Sequence, residues 1–129
     1  MIAEANAIQN GLNKKSGDLM EENLIIKEAI FIKNKGFFTK VSFSDILYLK
    51  SDHVYVEILL HNQQKYVVRT SLNDILSKLN SNFIRVHRGF VINIAYLTQI
   101  NSNSVKIIEE EIPIGKKFRE DIVKRINLI

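Results

Sequence analysis

From Glu28 onward the chain is a succession of short runs in which apolar and polar positions alternate, as half-buried strands require. Ala29-Ile30-Phe31-Ile32-Lys33 and Phe37-Phe38-Thr39-Lys40-Val41 flank Asn34-Lys35-Gly36, and Asn-x-Gly between two β-prone runs predicts a hairpin. Residues 44–50 predict a third strand. The alternation is clearest after Asp52, where Val54, Val56, Ile58 and Leu60 fall on one face and Tyr55, Glu57, Leu59 and His61 on the other. A turn at His61-Asn62-Gln63-Gln64 leads to a strand over 65–70.

The period then changes. Leu72, Ile75, Leu76 and Leu79 recur at helical spacing, and Ser71-Leu72-Asn73-Asp74 has the form of a capping box, so a helix is expected over 71–80. Strands follow over 94–100 and 104–108, with a polar turn at Asn101-Ser102-Asn103 and an acidic hairpin tip at Glu109-Glu110-Glu111. Pro113 cannot donate to a ladder, which confines Ile112-Pro113-Ile114 to a sheet edge or a very short strand. A last helix places Phe118, Ile122, Ile126 and Ile129 on one face. No internal repeat stands out.

Residues 1–27 differ in texture. They contain no aromatic residue, Gly11 and Gly17 interrupt them, and Asn13-Lys14-Lys15-Ser16-Gly17-Asp18 reads as a linker. Two readings stay open here: Ile2, Ala5, Ile8 and Leu12 line one face of a short helix, the residual tail of a preceding domain, or the segment is, as is more usual, simply a flexible end. The expected organisation is a linker over 1–27 and one mainly β domain over 28–129. At 129 residues and 46% hydrophobic content there is room for one real core.

Charge narrows the function. The 18 basic and 14 acidic side chains leave a net of only +4, but they are unevenly placed. Residues 1–60 carry 7 basic and 8 acidic groups, and residues 61–129 carry 11 and 6, a net of −1 and then +5. The excess falls in the half that holds Phe83-Ile84-Arg85-Val86-His87-Arg88-Gly89-Phe90-Val91-Ile92-Asn93, where three donor-rich side chains precede a glycine expected to allow a sharp turn. Lys50-Ser51-Asp52-His53 and Gly115-Lys116-Lys117-Phe118-Arg119 have the same character, so three donor-rich loops suggest a composite surface for an anion.

Other chemistries find little support. The chain has no cysteine, hence no disulfide, thiolate metal site or cysteine nucleophile. No glycine loop or nucleophile elbow is present, and most carboxylates sit at turns, caps or strand ends, so an enzyme is not expected. His53 and His61, eight residues apart on an extended strand, lie more than about 20 Å from each other, too far to share a metal with His87. No cofactor is called for. No apolar run approaches a membrane span and no signal peptide opens the chain, so a soluble cytoplasmic protein is expected. The predicted helices are poor recognition helices, because 71–80 exposes mainly Asn73, Asp74, Ser77 and Lys78, and the last one mixes Glu120 and Asp121 with Lys124 and Arg125.

Phe83-x-Arg85-Val86-His87-Arg88-Gly89-Phe90-x-Ile92-Asn93, with Ile112-Pro113-Ile114-Gly115-Lys116-Lys117-Phe118 near the end, resembles the LytTR DNA-binding domain, the output module of many bacterial response regulators. The resemblance runs from about residue 30 to 129. It implies elongated, packed antiparallel sheets that read direct-repeat promoter elements in double-stranded DNA through loops entering successive major grooves. By position, His53, Arg88 and Lys117 would contact bases, and Lys50, Ser51, Lys116 and Arg119 would contact phosphates. It also implies a receiver domain N-terminal in the full-length protein, a sensor histidine kinase upstream, and dimerisation on tandem sites. Residues 1–27 are too short for a receiver, so an isolated output domain of a longer two-component regulator is expected.

Two readings stay open for several of these residues. Arg85 either pairs with a carboxylate as a structural group or touches phosphate. His87 and Asn93 are expected to order their turns by hydrogen bonding rather than to touch a base. The acidic run should point away from any phosphate. The competing function is a small β-rich RNA-binding or protein-interaction module whose basic patch meets an acidic partner.

Overall fold

The computed structural model describes residues 24–129; the helix expected around Ile2 to Leu12 and the linker at 13–18 lie outside them. The described residues form ten strands and two short α-helices. The central element is a five-stranded antiparallel sheet in the order β5-β4-β3-β7-β6, built from β3 (Ile46–Asp52), β4 (Tyr55–Leu60), β5 (Lys65–Arg69), β6 (Phe83–His87) and β7 (Phe90–Asn93). A hairpin of β1 (Ala29–Asn34) and β2 (Phe37–Ser42) and a sheet of β8 (Leu97–Ile100), β9 (Ser104–Ile107) and β10 (Glu110–Pro113) complete the β structure. The helices are α1 (Leu72–Leu76) and α2 (Lys116–Val123).

The five-stranded sheet is a septum with a core on each face. Leu49, Val56, Ile58, Leu60 and Val91 point to one side, where Leu72 and Ile75 of α1 and Ile32 and Val41 of the hairpin close a first cluster. Ile84, Val86 and Ile92 point to the other, against Val105, Ile107 and Ile112 of the small sheet and Ile122 of α2. Side-chain alternation along each strand makes this possible, with register shifts between Ile46 and Tyr48 and between Arg85 and His87. Each fully buried Leu or Ile contributes roughly 1.5–3 kcal/mol of transfer free energy, so both clusters are substantial. The first hairpin keeps part of its apolar surface outward: Phe31 opposes Lys40 and Lys33 opposes Phe38, and all four are exposed.

The expected order of elements is present, with local corrections. Helix 71–80 shrinks to Leu72–Leu76, after which Lys78 and Leu79 donate to carbonyls three residues back and tighten the chain into turns. Its cap is as expected, with Ser71 Oγ accepting from Asp74 N at 3.0 Å. Strands expected from residues 44 and 94 begin later, because Phe43–Asp45 and Ile94–Tyr96 are single 3₁₀ turns. The acidic tip is displaced: the turn is Ile108-Glu109, with Ile108 at φ +58°, while Glu110 and Glu111 already belong to β10. Pro113 does lie on an edge strand. The last helix ends at Val123, so Phe118 and Ile122 pack inward but Ile129 is exposed.

Candidate nucleic-acid interface

Three turns meet at one end of the five-stranded sheet. His53-Val54 joins β3 to β4, with Asp52 paired to Tyr55, and Arg88-Gly89 joins β6 to β7, with His87 paired to Phe90. Because β3 and β7 are neighbours, the two turns lie side by side, and Ser51 N donates to Gly89 O at 3.0 Å. With strands about 4.8 Å apart, the centres of the two hairpins are separated by about 10 Å. The third component is the start of α2, whose capping residue Gly115 donates its N–H to Val86 O at 2.7 Å.

Gly89 serves this junction differently from the sequence expectation. Its φ is not in the left-handed region; a Cβ there would stand 3.4 Å from Ser51 Oγ and 3.6 Å from His87 Nδ1. Both are ordinary van der Waals distances to side-chain atoms, so neither a positive φ nor a lack of room requires glycine at this position. The residue that does adopt a left-handed conformation is His53, at φ +60°, a region that His enters more readily than most side chains.

The turns display donors outward. Arg88 is exposed, and its guanidinium has no hydrogen-bond or ion-pair partner among the described residues. His53 is 91% exposed and its Nδ1 lies 2.8 Å from Asp52 Oδ1. That carboxylate fixes the proton on Nδ1 of a neutral ring and leaves Nε2 as an outward acceptor; in the protonated ring Nε2 becomes a donor. Lys116 and Lys117 are exposed in the first turn of α2, and Lys117 Nζ sits 5.4 Å from the centroid of the Phe118 ring, a cation–π contact that supports the side chain. Lys50 is exposed and lies across from Glu57 and Phe90, whereas Ser51, next in the strand, points to the opposite face with Val56.

Arg85 is turned inward to the loop. Nε donates to His87 O at 3.1 Å, Nη2 to Arg88 O at 2.6 Å and Nη1 to Asn73 Oδ1 at 2.8 Å. Its partners are two turn carbonyls and an amide, which corrects the expectation of a carboxylate partner. His87 Nδ1 accepts the Gly89 N–H at 3.0 Å and its ring meets the edge of Phe90, so its geometry is that of a loop-ordering group. Arg119 is likewise occupied, with Nε on Asn101 O at 3.2 Å, tying α2 to the β8–β9 turn. Asn93, 2% exposed, holds Ile46 O at 2.9 Å and accepts from Ala95 N at 3.0 Å.

The acidic hairpin turn lies elsewhere. Ile108 N donates to Tyr96 O, which follows the far end of β7, so the Glu109 turn is at the opposite end of the molecule from Arg88. His61 is also at that end, stacked on Tyr96 with Nε2 on Asp45 Oδ1 at 3.0 Å, remote from His53. Sequence reading missed Asn73, Asp52 and Phe118 as partners of Arg85, His53 and Lys117. The last two are sequence neighbours of their partners; Asn73 is twelve residues from Arg85 and gives no such signal. Among the described residues no helix is long and apolar enough to cross a membrane.

The comparisons with known proteins bear on family and fold. A family model described as the LytTr DNA-binding domain matches residues 37–127. The sensory transduction protein LytT of Bacillus subtilis (strain 168) is 33% identical over 97 residues, which cover 68% of this chain and 39% of that protein. The chain thus spans about two fifths of that relative's length. A solved LytTr DNA-binding domain of a putative methyl-accepting/DNA response regulator from Bacillus cereus superposes with a TM-score of 0.68 at 20% identity, over 80% of this chain and all of that one. At that identity the likeness concerns the fold, mainly β with packed antiparallel sheets. With the family model covering most of its length, the chain belongs to the LytTr DNA-binding domain family.

Proposed function

We propose that this domain binds double-stranded DNA sequence-specifically, with the two hairpin turns and the start of α2 entering the major groove. The observation that carries the reading is the junction of Ser51 with Gly89 and of Gly115 with Val86, which gathers His53, Arg88 and Lys117 at one end of the five-stranded sheet. Arg88 offers two parallel donors to guanine O6 and N7, worth about 1–3 kcal/mol of discrimination. His53 presents Nε2 to a base edge, and Lys117 adds a mobile point charge. Lys50, Ser51 and Lys116 contact phosphates on either side, whereas Arg85, His87 and Arg119 hold the loops in shape.

In the full-length protein the domain is the output of a two-component transcriptional regulator. An N-terminal receiver domain and an upstream sensor histidine kinase control it, and two copies sit on direct repeats. Selection of bound duplexes from a randomised library at near-physiological salt tests the core of this reading. Enrichment of a short motif in spaced direct repeats, with a large preference over scrambled duplex, is the expected result. A flat library with weak, salt-sensitive binding would overturn it and leave the basic end as a nonspecific or protein-facing surface.

A further inference from the structure

The three bonds of Arg85 are not equivalent. Those to His87 O and Arg88 O stay within three residues of its own backbone, so on their own they would travel with the turn. The bond to Asn73 Oδ1 reaches a different element. That element is firmly seated: Leu72 and Ile75 on either side of Asn73 are buried in the first core, and Ser71 caps the helix at Asp74 N. An arginine only donates, so the amide must face it with its oxygen.

We propose that Asn73 is a positioning residue for DNA reading: through Arg85 it anchors the turn of His87, Arg88 and Gly89 to helix α1 and so sets where Arg88 is presented. This deepens the reading above and rests on Arg88 being the base-contacting group. Base discrimination by a bidentate arginine depends on placement to within about 0.5 Å, which an unanchored two-residue turn does not hold. Binding to phosphates tolerates far more movement.

The test uses the intact chain with Asn73→Ala and Asn73→Asp. Aspartate keeps an acceptor oxygen in place and adds a charge that suits both Arg85 and the helix N-terminus. Three quantities are read: the affinity ratio between the selected and a scrambled duplex, the urea midpoint, and the exchange rate of the Gly89 amide in the free protein. Asn73→Ala should lower the ratio about fivefold, the effect of one lost hydrogen bond. Scrambled-duplex affinity and urea midpoint should hold, and Gly89 should exchange faster. Asn73→Asp should restore the ratio and the protection, even where its charge weakens both duplexes together.

An unchanged ratio in Asn73→Ala, in a protein whose ratio Arg88→Ala collapses, would overturn the proposal. So would an aspartate variant as defective as alanine. If the wild type selects no duplex at all, the DNA reading fails by itself; the Gly89 exchange rates then decide whether the anchor exists.

Discussion

The amide of Ser51 and the carbonyl of Gly89 are joined by a 3.0 Å hydrogen bond between residues 38 positions apart, and this bond carries the β3–β7 ladder onward into the two hairpin turns. A bulge at Gly89 would part them. Yet alanine is expected to be tolerated, because its Cβ meets only side-chain atoms, at 3.4 Å and 3.6 Å, with no unfavourable φ. Gly89→Ala should cost no more than about 1 kcal/mol in urea unfolding. A larger loss would mean that the two turns cannot separate by even a few tenths of an ångström.

Arg88→Ala should leave the urea midpoint within about 0.5 kcal/mol of wild type, since the exposed side chain has no partner among the described residues. Selectivity between the chosen and scrambled duplexes should fall by about 1–3 kcal/mol, read by competition titration. Unfolding of the variant would instead assign Arg88 a structural role.

Lys116→Ala should weaken all duplexes evenly and reduce the slope of log affinity against log salt by about 1. A loss confined to one sequence would make Lys116 a base reader.

Asn93→Ala should be among the most damaging polar substitutions. The amide is 2% exposed and donates to Ile46 O at 2.9 Å, and its oxygen holds the Ala95 N–H at 3.0 Å. Removing it strands buried backbone groups, at about 2–3 kcal/mol, measurable by urea unfolding. DNA selectivity per folded molecule should be unchanged, because Asn93 lies at the other end of β7 from the Arg88-Gly89 turn.

The Tyr48 hydroxyl is held above its ordinary value of 10.0, first by burial and then by the nearby Glu110 and Glu57 carboxylates. The folded state therefore keeps this proton longer than the unfolded chain. Its contribution is fully present below pH about 10 and is lost as pH rises from there toward the raised folded value. Tyr48→Phe should flatten that part of the alkaline loss in a series of urea curves between pH 9 and about 11. An unchanged profile would show the phenol to be solvated.

Much of this architecture is legible in the chain because alternation of small runs is a direct image of burial. Val56, Ile58 and Leu60 are buried as their spacing requires, and Ser71 caps α1 as its motif requires. Ends are less legible: Leu79 keeps helical spacing but follows the last regular turn, since partial burial against the first core suffices to hold it. At the interface, motif and exposure give the donors, whereas roles depend on what each side chain meets. Arg85 and Arg88 are the same residue type three positions apart, and only the carbonyls of 87 and 88 and the distant Asn73 distinguish the one that holds from the one that is free.

The septum has a genetic consequence. β6 and β7 lend Phe83 and Val91 to one core and Ile84, Val86 and Ile92 to the other, so the Arg88-Gly89 turn hangs from both. Destabilising substitutions should therefore be spread over both clusters, on opposite faces of the same two strands, and second-site suppressors of either should be sought within its own cluster.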